Sequence, residues 1–337
     1  MVIFCFLDVL KRRKCRLIFK IKLVMSQRIL IIGNGFDLSH GYKTDYNSFI
    51  QNIFQESLLD SNLNKDLFRF ENKDNSGFSN DQMRIKSINK YIMPQSGFFR
   101  QIISEIENKN WSDIEEVFFK TLLYTSEGSI KKLNKEFEAI KNRLEKYLIN
   151  NVKYDKAIPS YSDFFLNNNI KGTIILNFNY TQTIQKLYNN ETSECEVINI
   201  HGELNNVNNP IIFGYAASVE DNNLLLEKNN NEYLVNIKSY NYKRTNIETV
   251  LKKIYDMSQY DITELYLLGH SCSLSDGNIL NQLFNLSDLE KINILYYKNF
   301  ENYRDTVINI HRVMASDLNY GSIVDFQDSV VAPQFDD

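Results

Sequence analysis

Residues that bind metals are scarce in this chain. Only four histidines and four cysteines occur among 337 residues. No CxxC, HxH or HExxH spacing brings two of them together, so a dedicated metal site is not expected. Cys5, Cys15, Cys195 and Cys272 follow no secretory signal and read as reduced thiols of a cytoplasmic protein. No apolar run is long enough to cross a bilayer. A net charge of −4 gives no case for nucleic acid as a partner of the whole chain. Proline is rare, with four, and tryptophan occurs once, at Trp111. Hydrophobic residues make up 43% and charged residues 24%, enough for a sizeable core and unlike a disordered or fibrous chain.

Charge is unevenly placed. Residues 1–24 hold seven Lys/Arg and one Asp, a surplus of +6 that leaves −10 for the remainder. The apolar stretch Val2–Leu10 is too short to span a membrane, and its basic residues follow it rather than precede it. The segment reads either as an extension upstream of a start at Met25 or as a basic helix lying on a membrane surface. The expected organisation is therefore a basic extension over 1–24, one α/β domain over 25–326 and a frayed tail over 327–337.

Within that domain, "RILIIG" (28–33) and "GTIILNF" (172–178) are short β-branched runs with the character of buried parallel strands. The interval between them is too long for one crossover. It carries helical periodicity instead: Leu133, Phe137, Ile140, Leu144 and Leu148 form one stripe. A helical insertion over 46–168 is expected, with a polar loop at 71–82. Ser112 and Glu115 stand in capping-box register. Beyond residue 172 strands and helices alternate, with "PIIFGY" (210–215) read as a strand and 218–232 as an exposed loop. The fold class is thus α/β: a Rossmann-like, largely parallel sheet with helices on both faces and a large helical insertion after the first strand.

Four short polar motifs end predicted strands: "GNGFD" (33–37), "NFNYT" (177–181), "HG" (201–202) and "GHS" (269–271). In open α/β sheets that edge is where ligands bind. Gly33, Asn34 and Gly35 would let backbone amides approach a pyrophosphate, or simply form a tight strand-to-helix turn. Asp37 would repel phosphate and suits ribose hydroxyls. Asn177 and Asn179 would share a face and orient a carboxamide or water, although Asn179 also suits the N-cap of a helix over 180–188. His201 titrates near neutrality and could serve as a base, or as a hydrogen-bonded structural group. His270 and Ser271 form a similar strand end. Acidic residues beside Trp111 read as helix N-terminal charges, with a carboxylate reaching to the sheet edge as the sharper alternative.

Together, "IIGNGFDLSHGYKTDY", "NWSDIEE", "LNFNYT", "IHGEL" and "LLGHS" resemble the bacteriophage abortive infection AbiH family. The resemblance implies a bacterial antiphage role with a phage-encoded trigger. A more remote resemblance is to the sirtuin-like NAD-consuming domains. Gly33, Gly35 and Gly41 match their glycine spacing, Asn179 their asparagine, His201-Gly202 their His-Gly pair, and Gly269–Ser271 with Asp276 their late motif. Asp37 stands where that family has serine, and Thr181 where it has aspartate. That resemblance implies NAD or a related nucleotide as ligand, Asn179 orienting ribose and water, and His201 as base. A non-catalytic nucleotide sensor is the alternative, and either form could act as a homo-oligomer.

Overall fold

The four apolar residues after Arg28 leave that part of the first strand no polar face. Ile29 to Ile32 are at most 1% exposed, as a strand covered on both sides requires. The computed structural model describes residues 27–60, 62–70, 92–109, 114–216, 219–245, 247, 251–252, 262–314 and 322–335. The basic segment 1–24, the polar loop 71–82, Trp111 with Ser112, and most of 246–260, whose sequence reads as a helix, lie outside the described residues.

The first half contains β1 (Gln27–Ile32), α1 (Asn34–Ser39), α2 (Tyr46–Leu59), β2 (Phe68–Phe70), β3 (Ile92–Pro94), α3 (Gly97–Lys109), α4 (Ile114–Tyr124), α5 (Glu127–Asn151) and α6 (Pro159–Asn167). The second half contains β4 (Ile174–Asn177), α7 (Thr183–Leu187), β5 (Glu196–Asn199), α8 (Val219–Glu227), α9 (Lys238–Asn241), β6 (Ile262–Leu268), α10 (Gly277–Phe284), β7 (Lys291–Tyr296), α11 (Phe300–Met314) and β8 (Val330–Val331).

Six strands form one sheet in the order β5-β4-β1-β6-β7-β8, and every pairing is parallel. Counted within this sheet alone the order is 3-2-1-4-5-6, that of doubly wound sheets. Alternate residues of β1 feed two separate cores. Ile29 and Ile31 pack with Leu280 and Leu283 of α10 and Ile310 of α11. Leu30 and Ile32 pack with Phe36, Tyr161 and Phe165 of α1 and α6. Period-two alternation thus covers both faces with helices.

A third core lies within the insertion. The stripe Leu133, Phe137, Ile140, Leu144 and Leu148 is buried as its spacing predicts. Phe118 and Phe137 stack with centroids 3.9 Å apart. At the start of α2, Asp45 caps the helix by accepting from the Ser48 amide at 2.9 Å. Two features differ from the helical pattern. β2 and β3 form a small antiparallel pair, and α6 packs on the sheet rather than in the insertion core.

Three expectations are corrected. As far as Phe335 the tail is not frayed: β8 pairs with β7, Ala332 N donates to Tyr296 O at 2.8 Å, and Phe335 N donates to Ser39 O at 2.8 Å. Edge pairing supplies the anchor that composition did not reveal. Residues 219–227 are helical, and Leu225 is fully buried in the insertion core. Leu225 alone anchors the segment, while Leu224 and Leu226 stay exposed. The segment 210–215 does not enter the sheet and makes only a single bridge, Tyr215 to Ile237.

Candidate functional site

The order of the sheet reverses direction between β1 and β6, and there both strands end in glycine. Gly33 N donates to Leu268 O at 3.1 Å, and Gly35 N donates to Gly269 O at 2.8 Å. A Cβ on Gly33 would stand 2.5 Å from His270 Cα, and one on Gly269 2.4 Å from Phe36 N. Gly269 also holds φ +67°, a backbone shape costly for other residues. These glycines therefore let two strand ends touch backbone to backbone. The Gly33 and Gly35 amides are both spent on that contact.

Above this seam opens a cleft of about 560 Å³, within the range of small-ligand sites. Its floor includes Gly33, Gly35, Phe178 and Gly269, and the insertion supplies Tyr46, Glu115, Leu144 and Leu148. Asn302 and Thr306 of α11, together with Ala332 and Gln334, complete the lining. Among the described residues no Lys or Arg lines the cleft, whereas Asp37, Glu115 and Asp276 do.

One side of the cleft holds a buried ionic cluster. Lys238, with 0% exposure, donates to Asp276 Oδ1 at 2.8 Å, Glu115 Oε2 at 3.1 Å and Ser275 O at 3.2 Å. All three ammonium protons are thereby used. Burial would lower the Lys238 pKa, but Asp276 and Glu115 prevail and hold it well above the ordinary lysine value. Burial would likewise raise the Asp276 carboxyl, but Lys238 and His201 hold it well below the usual carboxylate range.

Two histidines face Asp276. His201 Nδ1 lies 2.9 Å from Phe178 O. A carbonyl can only accept, so Nδ1 carries the proton and Nε2 the lone pair of the neutral ring. Nε2 is buried and lies 3.0 Å from Asp276 Oδ1. Burial first, then Lys238, lowers the His201 pKa, with Asp276 pulling the other way. His270 is the opposite tautomer. Its Nδ1 accepts from Cys272 N at 3.0 Å, so its Nε2–H points towards Asp276 Oδ2 at 3.5 Å.

On the other side, Asp37 is buried with both oxygens occupied. Thr181 Oγ1 donates to Oδ2 at 2.5 Å and Thr183 Oγ1 donates to Oδ1 at 2.6 Å. Burial raises its pKa to about 6 despite these bonds. Asn179 donates from Nδ2 to Gly33 O at 3.1 Å and from its amide to Asn177 Oδ1 at 3.1 Å. It is not a helix cap, since α7 begins at Thr183 behind the N-cap Gln182. Asn177 donates to Thr181 O and to Asn199 Oδ1, both at 2.9 Å, and so braces the loop from beneath.

Ten of the predicted residues line the cleft: Gly33, Asn34, Gly35, Asp37, Asn179, His201, Gly269, His270, Ser271 and Asp276. Asn177 and Gly41 do not. Gly41, at φ +77°, follows α1 and its amide donates to Leu38 O at 2.9 Å, which is the work of a helix-ending glycine. Lys238 escaped the sequence reading, being one of 38 basic residues. Its burial depends on Tyr215 and Asn236, whose backbones pair with each other and hold Lys238 N to Tyr215 O at 2.9 Å. Glu115 is the carboxylate that reaches the sheet edge. It accepts from Gly214 N at 2.8 Å as well as from Lys238.

A parallel sheet flanked by helices, with a polar cleft at the point where its strand order reverses, makes this an α/β protein. A family model, bacteriophage abortive infection AbiH, matches residues 29–298, and the chain belongs to that family. It thus stands among the bacterial phage abortive-infection proteins. No curated protein matches the chain. Among the described residues, no group of three His, Cys, Asp or Glu side chains could hold a metal ion, and no helix is long and apolar enough to cross a membrane.

Proposed function

We propose that the cleft binds a ribose-bearing nucleotide and cleaves its N-glycosidic bond, with NAD as the first candidate. The observation that carries this reading is His201 Nε2: a buried ring nitrogen at the cleft, 3.0 Å from the Asp276 carboxylate, on a ring whose other nitrogen is fixed. The remote sirtuin-like resemblance lends support. In it the two departures of this chain, Asp37 for serine and Thr181 for aspartate, exchange acid and hydroxyl. The two residues bond to one another at 2.5 Å.

The bond from ribose C1′ to the pyridine nitrogen breaks, and nicotinamide leaves neutral with the electron pair. A water oxygen bonds to C1′ and its proton passes to His201 Nε2. The products are nicotinamide, ADP-ribose and one proton. With Nδ2 engaged at Gly33 O, Asn179 offers Oδ1 to orient a ribose hydroxyl or the water. The acidic lining suits the positive charge of the pyridinium and of the oxocarbenium-like ribose. In an infected cell this reaction would deplete NAD and stop growth.

The test is nicotinamide release from NAD by purified protein, with and without phage lysate. His201→Ala and Asn179→Ala should each cut release by roughly 10²-fold or more and abolish phage protection. Full protection by both folded variants would overturn the catalytic reading. One observation favours a second reading, a nucleotide sensor gating a partner: Asp37 has both oxygens tied within the protein. NAD binding by calorimetry without nicotinamide release would select the sensor.

A further inference from the structure

We infer that Lys238 is the positioning residue of the cleft: it clamps Asp276 to Glu115 and through that clamp governs the protonation of His201. The inference deepens the glycosidic-cleavage reading, on which the base role of His201 rests. The control of His201 by Lys238 is measurable without any substrate.

The geometry is a tripod. Lys238 Nζ is held by Asp276, Glu115 and Ser275 O, and no proton remains for a ligand. A Schiff-base lysine needs a free, lowered amine; this one is fully bonded and permanently charged. Its position also excludes contact with substrate, because Asp276 and Glu115 line the cleft and Lys238 does not. Its work is therefore done through its neighbours.

The charged and titratable groups around His201 come from every wall. The 274–276 turn contributes Asp276, the end of β6 His270, the start of α9 Lys238, and α4 Glu115 through Lys238. Tyr180 and Tyr242 flank the ring, with centroids 6.0 and 6.5 Å away. With Lys238 cationic and both acids ionised, the trio carries one net negative charge. Without Lys238 it would carry two, and a buried imidazole beside it would bind a proton. The clamp thus leaves a lone pair where a proton would otherwise sit. It also fastens the helical insertion, through Glu115, to the sheet edge.

The experiment is a histidine-detected NMR titration of the full chain, with the His201 signal assigned by its loss in His201→Gln. Lys238→Met should move the His201 titration upward by about one pH unit or more. Lys238→Met/Glu115→Gln removes one acid as well and should return it towards wild type. Glu115→Gln alone keeps Lys238 and should move it downward, a result available even if Lys238→Met fails to fold. The nicotinamide-release profile of Lys238→Met should lose activity on its acid side and recover at higher pH, with KM little changed. An unmoved His201 titration in Glu115→Gln, or in folded Lys238→Met, overturns the inference. If the titration moves as expected but wild-type protein releases no nicotinamide, the control by Lys238 stands and the base role of His201 falls.

Discussion

At the scale of single residues, Asp37 is an acid held where its charge is least welcome. Two threonine hydroxyls offset part of the desolvation, yet its pKa rises to about 6. A carboxyl raised on folding binds its proton more tightly in the native state, so it favours folding as pH falls from about 6 towards 3.8. The rise of about 2 pH units corresponds to ~3 kcal/mol. Asp37→Asn cannot ionise. Relative to it, wild-type protein should gain up to ~3 kcal/mol between about pH 7 and pH 4, read by urea unfolding. A difference independent of pH would contradict the raised pKa. From sequence, Asp37 and Thr181 looked like separate defects in a nucleotide motif. Their contact spans 144 residues of chain, and nothing local announces it.

At the scale of elements, the ends of β1 and β6 meet through glycine. Gly269 and Gly41 both hold positive φ but differ in what surrounds them. A methyl group placed on Gly269 would lie 2.4–2.8 Å from backbone atoms of Gly35 and Phe36. One placed on Gly41 would meet nothing within 4 Å. Gly41→Ala should therefore cost only the left-handed backbone, about 1–2 kcal/mol. Gly269→Ala should cost more, because it also forces two strand ends apart, and under the proposed function it should weaken NAD binding as Gly41→Ala should not. Equal losses in denaturant melts would show that the seam yields. The strands and their glycines were legible in the sequence, since a β-branched run closed by glycine has few alternatives. What the glycines pack against was not, because β6 lies more than 200 residues further along the chain.

At the scale of the whole molecule, the insertion and the sheet are coupled units. Phe213, Tyr215 and Ile237, from the second half of the chain, complete the insertion core. Phe137→Ala would open that core at the Phe118 stack and should cost about 3–5 kcal/mol. The clamp and shared core predict that it moves one unfolding transition seen by circular dichroism. Two transitions, only one displaced, would show that the insertion melts alone. Periodicity made the insertion and the parallel sheet readable, because each helix and strand keeps its own repeat. The ionic cluster was not readable: Lys238, Glu115 and Asp276 come from three distant segments with ordinary surface-like sequence around them.

The central position of β1 has a consequence for the order of assembly. Ile29 pairs with Ile174 on one side and Leu265 on the other. The strand synthesised earliest in the sheet must therefore wait for β4 to cover one edge and for β6 to cover the other. Through most of translation the ribosome carries an apolar strand with an open edge, the kind of segment chaperones hold. The cleft needs residues as far along as Gln334 to close its lining. A chain broken off before that point would have the motifs but not the complete pocket, so a partial product would be incompletely armed.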